Sequence, residues 1–104
     1  MAYSDITSAI SADPIQQIRI KIPTGDVQLT LKYYATGGFW AFDAMRDGVG
    51  VYGVSLCLGV KHIPSSLLDV DFIVVDNSNL GLDPFKLDDF ESGRCSLVVQ
   101  YNET

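Results

Sequence analysis

The chain has 104 residues, a formal charge of −6, 47% hydrophobic residues and 19% charged ones. That length favours one domain, large enough to bury a core without disulfides or a structural metal. Seven Lys and Arg against thirteen acids, scattered along the chain, exclude a non-specific nucleic-acid binder or an anionic-membrane binder, which need clustered cations.

Residues 1–14 are rich in Ser, Ala and Asp. Ile6 and Ile10 stand four apart, the spacing of a short helix capped by Ser4 or Asp5, and Asp13-Pro14 ends it. The stretch reads as an N-terminal arm: frayed in a lone chain, ordered through Tyr3, Ile6 and Ile10 in an assembly. No basic residue precedes Arg19, and no continuous apolar segment occurs there. It does not read as a signal peptide, and synthesis in a cytoplasm is expected. No apolar run approaches the length of a membrane-spanning helix.

Residues 15–104 read as a single β-domain. In Ile15–Ile22, Ile18, Ile20 and Ile22 alternate with Gln17, Arg19 and Lys21, one face core and one wet. Thr24-Gly25-Asp26 is expected to be the hairpin turn, with Gly in first central place. A second strand over 27–34 carries Val27, Leu29, Leu31 and Tyr33 on one face. Gly37-Gly38 and Asp47-Gly48 bracket a central strand over 39–45. Trp40, Phe42 and Ala44 share one of its faces; Phe39, Ala41, Asp43 and Met45 share the other. Both faces are largely apolar, which predicts cover on both sides.

A fourth strand is expected over 49–58, with Val49, Val51, Gly53, Ser55 and Cys57 on one face. Gly50, Gly53 and Gly59 suit a bulged or coiled strand of the kind a small barrel needs. Pro64 breaks the pattern, and 65–68 fits one helical turn. A short apolar strand at 72–75 follows, then a long connection from Asn77 to Gly93. Within it, Asp83-Pro84 is a helix start and Gly93 a stop, with Leu87 and Phe90 on one face. Cys95–Tyr101 closes the domain. The expected fold is all-β, a small barrel or sandwich of about six mostly antiparallel strands, with one short helix in the 76–94 connection. Leu29, Leu31, Tyr33, Trp40, Phe42, Leu97, Val99 and Tyr101 are the expected core.

Little in the chain points to catalysis. His62 is the only histidine, and no triad assembles around it. Gly53-Val54-Ser55-Leu56-Cys57 lacks the second glycine of a nucleophile elbow. The acids Asp69, Asp71, Asp76, Asp83, Asp88, Asp89 and Glu91 do not match an EF-hand and read as a solvated face. Two cysteines and one histidine lack zinc-ligand spacing, no glycine-rich phosphate loop follows a strand, and no cofactor or metal is expected. Cys57 and Cys95 read as buried thiols. Surfaces remain. Leu80, Leu82, Phe85, Leu87 and Phe90 make the long connection too apolar for disorder, so it reads as a lid, a docking surface, or both.

Gln28 to Tyr34, Phe39-Trp40 with Asp43 three residues on, Gly53 and Gly59, Phe72-Ile73-Val74-Val75 and Leu97 to Tyr101 occur in an order that resembles the bacteriophage baseplate plug family. The resemblance covers about 15–101. It implies a mostly β structural virion protein without enzyme activity, placed in a contractile tail baseplate between tail tube, hub and wedge proteins. It further implies assembly in the host cytoplasm, with copies forming a ring. Interface residues are then expected at Tyr3, Ile6, Ile10, Leu80, Leu82, Phe85 and Phe90. The alternative is a small ligand-binding β-barrel or adaptor module, with a pocket near Trp40, Tyr33 and Tyr52.

Overall fold

The computed structural model describes residues 2–23, 25–63 and 70–101. The helical turn expected over 65–68 lies outside them. Seven strands occur among the described residues: β1 Ala2–Asp5, β2 Ile15–Ile22, β3 Gly25–Tyr34, β4 Phe39–Arg46, β5 Val49–Ser55, β6 Val70–Asp76 and β7 Cys95–Tyr101. The meander β2-β3-β4-β5 is one antiparallel sheet, and β1-β7-β6 is the other. They stack as a sandwich and do not close into a barrel.

Alternation built the first sheet. Ile22 pairs with Gly25, so Gly25 opens β3 instead of sitting at the centre of the turn. Arg46 pairs with Val49 across Asp47 (φ 51°) and Gly48 (φ 78°), the two left-handed residues of a type I′ turn.

On β5 the alternation breaks. Phe42 faces Val54, but Ala44 faces Val51, one residue more on β5. Gly53 at φ 63° absorbs the bulge, and its amide donates to Asp43 Oδ1 at 2.7 Å. The extra residue turns both Val51 and Val54 to the core, where strict alternation separates them.

The inner faces meet in one cluster. Leu29, Leu31, Trp40, Phe42, Leu97 and Val99 are fully buried, and Tyr33 and Tyr101 pack against them. Phe42 meets Phe72 across the sheets at 5.3 Å, and Trp40 meets Tyr33 at 5.3 Å. Each such buried side chain contributes about 1.5–3 kcal/mol.

The expected cover on both faces of β4 is only partial. On the outer face Ala41 is buried, but Phe39 and Met45 are exposed. Phe39 reduces its exposure by stacking on its partner Tyr34 at 4.9 Å.

The first residues join the second sheet. Ala2↔Tyr101 through Asp5↔Val98 pair β1 with β7, and the Ile6 amide donates to Leu97 O at 3.0 Å. A 3-10 turn at Thr7–Ala9 replaces the expected helix. Asp5 Oδ1 takes the Thr7 amide, and Ile10 drops into the core at 4% exposure.

No helix forms in 76–94, which runs as bends and turns. The amides of Phe85 and Lys86, which would open a helix after Asp83-Pro84, go to Asp89 Oδ2 at 2.7 and 2.8 Å. A carboxylate reaching back from later in the chain wraps the backbone around itself instead of letting a ladder start.

Candidate functional site

His62 has a structural task. Its Nδ1 lies 2.6 Å from Phe72 O, and its Nε2 accepts the Cys57 amide at 2.9 Å. That pairing assigns the neutral Nδ1–H tautomer and occupies both nitrogens. Phe72 O belongs to the free edge of β6. Gly59 N reaches Val74 O on the same edge, and Leu58 bridges Val74 in parallel. Segment 58–63 thus covers an edge that would otherwise be open.

Both cysteines are free thiols. Burial pushes Cys95 up to about 11. Burial first, then the charge of Asp83, raises Cys57.

Several of the acids are not a solvated face. Asp71 is buried, and its Oδ1 accepts the amides of His62, Ile63 and Phe72. Asp83 Oδ1 accepts the Leu58 amide at 2.7 Å, and Asp76 Oδ2 accepts that of Gly81 at 2.6 Å. Asp89, 2% exposed, also takes Arg94 in a fork, Nε to Oδ1 at 2.9 Å and Nη2 to Oδ2 at 3.0 Å. Arg94 reaches on to Asp83 O and Asp76 Oδ1. These loop amides have no ladder partner, so carboxylates serve instead. Burial pushes Asp89 up, but the Arg94 fork and the amides of Lys86 and Phe85 outweigh it and hold it below the usual carboxylate range. The Ser78 hydroxyl and amide, with further loop amides, bring Asp76 down to about 2. Among the described residues, no three of His, Cys, Asp and Glu gather as a metal site.

This network makes the 76–94 connection a fixed surface. Two aromatic handles pin it from the core: Trp40 Nε1 donates to Lys86 O at 3.0 Å, and Tyr33 OH donates to Phe85 O at 2.9 Å. Pro84 and Phe90 are buried and Leu87 partly so, Phe90 edge-on to Trp40 at 5.6 Å. Leu80 and Leu82 are left 61% and 47% exposed. The connection is therefore a lid on its inner side and an apolar ledge on its outer side.

The ledge borders an open cleft of about 470 Å³, lined by Phe39, Leu56, Cys57, Leu82, Pro84 and Phe85. Leu82 and Phe85 thus meet Phe39, which alternation had assigned to a covered face. Tyr3 lies elsewhere, exposed on β1. Ile6 packs on the core, while Ile10 and Phe90 are inside it. Trp40 and Tyr52 do not share a face of the sheet. Trp40 is fully buried, whereas Tyr52 stands on the outer sheet face beside Gln17, Gln28 and Thr30.

A family model described as cyanophage baseplate Pam3 plug gp18 matches residues 3–102. No curated protein matches the chain.

Proposed function

The chain belongs to the cyanophage baseplate plug family, and on that premise we propose that it is a plug-like packing piece seated between tail tube, hub and wedge proteins. A structural role in the tail baseplate follows from the family; the neighbours and their arrangement are our reading. The observation that carries it is the ledge. A connection locked to the core by Trp40, Tyr33 and the Asp89–Arg94 fork presents Leu80 and Leu82 outward. Apolar side chains held rigidly in solvent suit a surface completed by another protein, because docking costs little ordering entropy.

In this reading copies surround the tail axis as a ring and are incorporated in the host cytoplasm. The charge of −6 per chain then repeats around the axis and repels passing DNA. The test is complementation with the double variant Leu80→Asp, Leu82→Asp. Both side chains are exposed, so the purified variant is expected to keep its Tm while its incorporation into particles falls at least about tenfold. Normal incorporation would remove the ledge from the interface.

A further inference from the structure

A sandwich of two open sheets has four edges, and three of them are covered, bulged or short. The β6 edge is covered by His62, Gly59 and Leu58. The β5 edge is broken by the bulge at Gly53, whose amide is turned onto Asp43. The β1 edge spans only four residues. The β2 edge differs: eight residues in unbroken register with β3.

The register says which groups that edge offers. The Tyr33 amide donates to Pro14 O at 2.7 Å. In an antiparallel ladder, bonded pairs recur every second residue. Gln16, Ile18, Ile20 and Ile22 therefore face β3, with Leu31, Leu29, Val27 and Gly25 opposite. The N–H and C=O groups of Ile15, Gln17, Arg19 and Lys21 point away from the sheet. Their side chains lie exposed on the outer face, Ile15 at 69%.

Arg19 and Lys21 set the partner's chemistry. A second copy pairing antiparallel along the whole of β2 would set Arg19 against Gln17 and Lys21 against Ile15, which gives neither cation a carboxylate. An extended strand with carboxylates at alternate positions meets the same edge favourably, and an apolar side chain suits Ile15.

We propose that the β2 edge is a strand-docking site, completed by an extended acidic segment of another protein that adds a fifth strand to the four-stranded sheet. The claim deepens the baseplate reading and rests on it for where the segment comes from, but the edge can be tested apart from it. The purified chain is titrated with a capped peptide of about seven residues alternating valine and glutamate, the length of an ordinary strand, and amide signals and hydrogen exchange are followed. Expected are protection of the Ile15, Gln17, Arg19 and Lys21 amides and affinity about tenfold above that of a valine–lysine peptide. Protection elsewhere, no protection, or equal affinity for both peptides overturns the proposal.

In particles, Gln17→Pro removes an outward N–H and spares the ladder to β3. This variant should keep its circular dichroism and Tm yet fall at least about tenfold in incorporation. Incorporation at the level of the unsubstituted chain overturns the edge while leaving the baseplate reading intact. Peptide protection, with even the unsubstituted chain absent from particles, supports the edge and overturns only the baseplate reading.

Discussion

Replacing Asp89 with asparagine tests whether one carboxylate organises the 76–94 connection. Asp89 is 2% exposed and accepts the amides of Phe85 and Lys86 together with both arms of the Arg94 fork. Asparagine keeps the shape but offers one acceptor oxygen, so its NH₂ faces Arg94 Nε in one orientation, and Arg94 Nη2 together with the two amides in the other. Removing the charge from a buried, hydrogen-bonded pair costs about 3–5 kcal/mol. The retained contacts place Asp89→Asn at the low end, about 3 kcal/mol.

For a domain of this size that lowers Tm by roughly 12–15 °C. Urea denaturation followed by Trp40 fluorescence is the assay, because Trp40 bonds Lys86 O and touches Phe90 in the same loop. The pH dependence carries a second signature. A depressed folded pKa stabilises above the unfolded value of about 4, and that stability is lost as pH falls through the folded value. The wild-type chain should therefore lose stability in acid more steeply than Asp89→Asn, with Asp76, held at about 2, still contributing in both. A loss under about 1 kcal/mol with an unchanged acid slope would refute the reasoning.

His62→Ala should cost about 1–3 kcal/mol by stranding the Cys57 amide and Phe72 carbonyl, and light scattering should show association through the uncovered β6 edge. Gly53→Ala meets no atom within 4 Å, so it should cost only the roughly 1–2 kcal/mol of its left-handed φ of 63°; a larger loss by chemical denaturation would mean that the bulge is sterically crowded. Ile10→Ala should cost about 2–5 kcal/mol, because Ile10 is a core residue. An unchanged denaturation midpoint would instead mark 1–14 as an arm independent of the domain.

Where side chains alternate and turns carry Gly, the strands were legible: Ile15–Ile22 and Cys95–Tyr101 have the bounds the pattern predicts, and Asp47-Gly48 makes its turn. β1 was not legible. It is short and polar, and its partner β7 lies at the far end of the chain, so no local signal announces the pairing. The bulge at Gly53 was visible only as a glycine; its effect, bringing Val51 and Val54 to one side, needed the register. Asp83-Pro84 gave a sound helix-start signal, but the carboxylate of Asp89 took the amides. Side-chain-to-backbone bonds of this kind leave no periodicity to read. The same gap hid the role of Asp71, which reads as one acid of a solvated face, and the structural task of His62. The ledge was half legible: the apolar content of the connection gave Leu80 and Leu82, but only the fold shows that Phe39 joins them and that Phe90 does not.

A baseplate plug must sit at the distal end of the tail. Immunogold labelling of purified particles, with mass spectrometry to count copies, tests this most directly. Label is expected at the distal end of the tail, in a copy number that fits a ring. Particles that carry no copy of the chain would contradict the baseplate reading.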